Sequence, residues 1–153
     1  MHALDVFFNN IADVEAQHNA CILALDWAIS ASSADAAFVR RLQQVPSPVD
    51  RGDLERCRRR LEDVCIVWLY AEFEDALRAY WEFLKKKTRP PMEVLMNSVA
   101  GKTSMPQDFL GPAHHVRQYR NDLVHRTSTV PKLSLGKCKS YLCRFLSLLP
   151  RTF

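Results

Sequence analysis

Glycine is scarce in this chain, with four among 153 residues. A sheet-rich fold with many tight turns would use more, and no stretch is Gly/Ser-rich enough to act as a flexible linker. Long apolar runs are also missing. The longest uncharged one falls far short of the roughly 20 residues that cross a bilayer, so no transmembrane segment is expected. The opening residues, Met1 to Phe8, lack the basic start and the cleavage site of a secretory signal. Cysteine occurs as Cys21, Cys57, Cys65, Cys138 and Cys143, an odd number with no CxxC pair. That usage points to reduced thiols and a cytoplasmic protein. What remains is 48% apolar and 25% charged, the profile of one globular domain over residues 1–153 with a sizeable core.

Acidic residues are nearly absent from the second half. Residues 85–153 hold three Asp or Glu against thirteen Lys or Arg, a balance of +10, whereas residues 1–84 hold fourteen against eight, or −6. Such asymmetry suggests an electropositive face for a polyanion, with nucleic acid the first candidate. The run Lys85-Lys86-Lys87, just before Arg89-Pro90-Pro91, also suits a helix C-terminus, where cations meet the dipole and prolines stop the helix.

No segment alternates with period two. Leu4, Phe8, Ile11, Val14, His18, Ile22, Leu25 and Ile29 instead recur at three- and four-residue spacing, which predicts one long amphipathic helix. Ser33 is the expected N-cap of a shorter helix carrying Phe38, Leu42 and Val45. Residues 53–87 read as the longest helix, with Leu61, Cys65, Leu69, Phe73, Leu77, Tyr80 and Leu84 on its buried stripe. A brief helix is expected near 91–100, a loop over 101–111, a helix over 113–127, and a last one over 134–149. The predicted fold class is all-α: an antiparallel bundle of about four main helices plus short ones, without internal repeats.

Two lookalikes carry no chemistry. Gly101-Lys102-Thr103 resembles the end of a phosphate-binding loop, but Met96 stands where its first glycine belongs. Cys138 and Cys143 are five apart with no histidine close in sequence, so no metal site and no cofactor are assigned. His18, on an apolar stripe, reads as a packed side chain.

The segment His114 to Arg126 differs. On a wheel of about 100° per residue with Arg120 at zero, Arg117, Asn121, His114 and His125 fall between about 60° and 140°. Tyr119, Leu123 and Val116 fall opposite, while Val124 is an apolar residue inside the polar arc. Val124 suggests that something covers this face. Guanidinium grips phosphate oxygens bidentately, imidazole exchanges a proton near neutrality, and an amide orients either one. With a ribose 2′-OH as nucleophile, these groups suffice for RNA cleavage without a metal. One histidine cannot easily take one proton and give another in a single step. Two copies of the motif across a two-fold axis supply both, which is a chemical reason to expect a homodimer. Its interface would use the 113–127 helix, Val124 and parts of the long central helix.

Arg120 and Asn121, followed after three residues by His125, resemble the Arg-polar-His signature of the HEPN superfamily, small helical domains common in toxin and antiviral systems. A small residue often follows the histidine in that family; here Arg126 does. The resemblance implies a metal-independent endoribonuclease whose composite site forms between two protomers. It also implies a restraining partner, an antitoxin or a nucleotidyltransferase. An acidic residue on an earlier helix often faces the motif in that family. Glu72, beside the apolar stripe of the central helix, is the candidate, with Glu74 expected to form an ordinary pair with Arg78. The expected catalytic set is therefore Arg120, Asn121, His125 and Glu72, with Arg117 and His114 as substrate-binding residues. The same residues also fit a module that holds RNA or a nucleotide without cutting it, or a protein-interaction domain.

Overall fold

A computed structural model of the chain describes residues 3–151 and 153, and among these it is helical throughout, with no strand. Six helices follow in order: α1 (Ala3–Ala34), α2 (Ala36–Gln43), α3 (Arg51–Phe83), α4 (Met92–Lys102), α5 (Gln107–His125) and α6 (Leu135–Leu146). No single helix is long and apolar enough to cross a membrane.

The central element is α3. Asp50 and Asp53 form a reciprocal capping box at its start, so it begins slightly earlier than its hydrophobic stripe indicates. It ends at Phe83, which leaves Lys85, Lys86 and Lys87 beyond the helix. Its predicted stripe is the core: Cys65, Leu69, Phe73, Leu77 and Tyr80 are buried, and Leu61 and Leu84 pack against them. The Phe73 ring meets Phe145 of α6 edge-on at 5.3 Å, a favourable aromatic geometry. The pairs Asn10–Glu72 and Asp26–Arg58 show that α1 runs antiparallel to α3. Below Val14 on α1 and Cys65 on α3 the packing thins, and no described residue between 15 and 64 is buried. The far halves of α1 and α3, with α2, therefore form a helical hairpin projecting from the core.

Several boundaries differ from the sequence reading. Asp35, rather than Ser33, caps α2: its carboxylate accepts the backbone N–H groups of Ala37 and Phe38. Ser33 lies inside α1 and is bonded by Arg51, and Val45 lies outside α2. The stretch 101–111 is not a loop, because α4 extends to Lys102 and α5 starts at Gln107. Helix α5 runs through Gly111 and Pro112. Pro112 withholds one donor from the carbonyl four residues earlier, at exposed Asp108 where water can serve instead. Packing favours the longer helix, since Leu110 lies against the core and the Arg144 guanidinium sits 4.5 Å over the Phe109 ring. At its other end α5 stops at His125, two residues before the expected boundary.

Candidate active site

The site begins at the C-terminal end of α5. Arg126 takes the left-handed conformation, with φ of 56°, and closes the helix by donating its N–H to the Asp122 carbonyl. A residue with a Cβ is strained there, which explains why a small residue suits this position. The Asp122 side chain compensates. Buried beneath the turn, its carboxylate accepts the hydroxyls of Thr127 and Thr129, each at 2.7 Å, and the N–H groups of Thr129 and Val130 at 2.6 and 3.0 Å. The Thr127 hydroxyl, then that of Thr129 and the two backbone donors, hold its pKa down to about 2 against the opposing effect of burial. Residues 127–130 are thereby tied under the helix end that presents His125. Sequence reasoning passed over Asp122; the cluster of hydroxyls at Thr127 and Thr129 was its only local signal.

His125 is exposed, and Arg120 and Asn121 lie half-buried behind it. The Arg120 guanidinium rests over the Tyr70 ring, 5.7 Å from its centroid, and Nη1 donates to Asn121 Oδ1 at 3.2 Å. A ring beneath and an amide beside thus orient the planar fork. The Nε atoms of Arg120 and Arg117 have no hydrogen-bond partner among the described residues. Tyr70 is buried, which together with Glu74 raises its pKa, and the charges of Arg117, Arg120 and Arg78 also reach its hydroxyl.

The proposed substrate-binding residues are already engaged with α4. Arg117 Nη2 bonds Glu93 at 3.0 Å, and His114 Nε2 lies 2.9 Å from Asn97 Oδ1. Burial, then the charge of Arg117, lower the pKa of His114, with Glu93 opposing. Arg117 remains close to Arg120 through Tyr70, whereas His114 serves to join α4 to α5.

Glu72 does not face the motif. It is half-buried, but it accepts the Asn10 side-chain amide at 2.7 Å and lines a hollow with Asp13, Gln17 and Trp68 on the α1 side of α3. Two residues on a helix differ by about 200°, so the acidic group on the Tyr70 side is Glu74. Its Oε1 accepts Arg78 Nε at 2.8 Å, and the two side chains are only 27% and 21% exposed, so this is not an ordinary surface pair. The spacing of Tyr70, Glu74 and Arg78 at intervals of four was the available signal.

Beside His125 lies an open groove lined by Arg60, Asp63, Val64 and Val67 of α3 and by Leu123, Val124 and Arg126. Val64 and Val124 remain 44% and 46% exposed, an apolar surface within this groove. The basic residues here come from both halves of the sequence, since Arg60 belongs to the acidic one. Among the described residues no group of three His, Cys, Asp or Glu side chains is placed to hold a metal ion. No family model, curated protein or solved structure matches the chain.

Proposed function

We propose that the chain is a metal-independent endoribonuclease that works as a homodimer, with two copies of the Arg120–His125 motif forming one composite site. The observation that supports this reading best is the pairing of an exposed imidazole with an oriented guanidinium. His125 stands free at the helix end, while Arg120 is held between Tyr70 and Asn121. In the proposed reaction one His125 takes the proton of a ribose 2′-OH, and that oxygen attacks the adjacent phosphorus. Arg120 stabilises the charge of the phosphorane. The 5′-oxygen departs with a proton from the second His125, leaving a 2′,3′-cyclic phosphate. The exposed Val64 and Val124 give a second copy an apolar surface to cover, which would bring the two imidazoles together.

The test is cleavage of mixed RNA by purified protein in EDTA. His125→Ala should abolish cutting and leave RNA binding largely intact, whereas Arg120→Ala should reduce binding and cost about 10²–10³ in rate. Dimers mixed from wild-type and His125→Ala protomers should be inactive; half the wild-type rate would mean independent sites. A second reading, a module that binds RNA without cutting it, draws on the ties of Arg117 and His114 to α4, which suit a fixed surface. Binding without any cleavage by the wild-type protein would select it.

A further inference from the structure

A second cation-rich site lies at the C-terminal end of α3. After Phe83 the chain reverses: Lys85 takes a left-handed φ of 55° and donates to Glu82 O at 2.7 Å, and Lys86 N bonds Trp81 O at 3.3 Å. The reversal folds the following residues back over the helix end and encloses a cavity of about 250 Å³, lined by Arg78, Trp81, Glu82, Lys86, Lys87 and Arg89 among others. Four cations therefore face one carboxylate. Half-buried Trp81 forms one wall, and its Nε1 donates to Thr88 O at 3.1 Å, which fixes the indole plane. Drug-sized pockets are roughly 300–1,000 Å³, so this volume suits one nucleotide rather than a larger ligand.

The cavity and the Tyr70 platform of the candidate active site lie on one face of α3. Tyr70, Glu74 and Arg78 follow one another at four-residue spacing, and Arg78, which lines the cavity, is also the partner of Glu74. The charges of Arg78, Arg117 and Arg120 all reach the Tyr70 hydroxyl. Arg78 and Arg117 are each paired with a carboxylate, Glu74 and Glu93, so Arg120 and the cavity's lysines are the less compensated cations at the two ends. Trp81 lies eleven residues beyond Tyr70 on one helix, a separation of about 16 Å.

We propose that this cavity is a distal subsite for single-stranded RNA, taking one nucleotide of the strand whose scissile phosphate lies at Arg120 and His125. Its base stacks on Trp81, and neighbouring phosphates are neutralised by Lys86, Lys87 and Arg89. The backbone between the two points follows the α3 face that runs from Tyr70 to Trp81. The choice of a single strand follows from the aromatic wall, because a base can stack on an indole only when it is unpaired. The proposal names the substrate class of the proposed nuclease and rests on that reading. It also gives the basic run a role beyond ending a helix.

The experiment uses the full chain carrying His125→Ala, so that RNA stays intact. Fluorescence anisotropy across a salt series compares labelled single strands of roughly twelve and about two nucleotides with a duplex. Combining Lys86→Ala, Lys87→Ala and Arg89→Ala should reduce the log–log salt slope for the longer strand by about 2, from about 0.7 per phosphate neutralised. Trp81→Ala should weaken the longer strand about 10-fold or more, and Trp81→Phe should restore most of that. The short strand, spanning only the motif, should be indifferent to every change, and Lys102→Ala should alter nothing. The triple variant alters only exposed residues outside the helices, so it remains informative if Trp81→Ala fails to fold. An unchanged slope and affinity for the longer strand, or equal losses for both strands, would overturn the subsite. Wild-type protein that never cuts RNA but shows these losses would remove the nuclease reading and leave the subsite standing. Normal cutting and binding by the cavity variants would do the reverse.

Discussion

If Tyr70 is the platform that orients Arg120, the two side chains must be energetically coupled, and a double-mutant cycle measures by how much. The guanidinium carbon lies 5.7 Å from the ring centroid, inside the roughly 6 Å range of a cation–π contact. Tyr70 is 2% exposed and Arg120 is half-buried, so the contact is partly desolvated. Exposed contacts of this kind contribute about 0.5 kcal/mol and desolvated ones about 2, which places this one near 1 kcal/mol. The cycle compares wild type, Tyr70→Leu, Arg120→Met and the double variant by urea unfolding. Tyr70→Leu alone should cost about 2–4 kcal/mol, because it also empties core volume and removes the hydroxyl contact with Met96. Only the non-additive part reports the platform. Tyr70→Phe keeps the ring and should keep the coupling. For a chain of this size 1 kcal/mol moves Tm by about 2–4 °C, which is readily measured. A coupling below about 0.3 kcal/mol, within ordinary additivity error, would refute the platform. In cleavage assays Tyr70→Leu should slow the reaction less than Arg120→Ala, since it leaves the charge present but poorly aimed.

Two further outcomes follow from the titrating groups. Asp122 has a folded pKa of about 2, below its ordinary carboxylate value; its contribution to stability is therefore full above that ordinary value and is lost as pH falls through about 2. Asp122→Asn should flatten this acid limb and loosen residues 127–130, seen as faster amide exchange at Thr129 and Val130; unchanged exchange would contradict the tie. His114 has a lowered pKa, so the unfolded chain binds its proton more readily; stability should be full above the ordinary histidine range and fall as pH drops through it. His114→Gln should reduce that decline, and an identical pH profile for the variant would refute the assignment.

The sequence by itself determined the helical class and the core. Apolar residues at three- and four-residue spacing leave few other ways to bury them, and Cys65, Leu69, Phe73, Leu77 and Tyr80 are buried as their periodicity required. The polar arc of α5 was legible for the same reason, because residues of one helix share a fixed wheel. Tertiary structure decided what lies opposite that arc. Glu72 and Glu74 differ by two positions on one helix, and periodicity cannot say which neighbouring helix each face will meet; only the packing of α1 and α5 on α3 sends Glu72 to Asn10 and turns the Tyr70 face, which carries Glu74, toward Arg120. It likewise overrode the local preference of Gly111 and Pro112 for a break, because Leu110 packs against the core and the one carbonyl that loses its donor is exposed to water. The charge asymmetry along the chain shows the same division. Arg60 belongs to the acidic half, yet it lines a groove with Arg126 because α3 and α5 pack side by side, whereas Arg78 meets Lys86, Lys87 and Arg89 because the chain folds back over the end of its own helix.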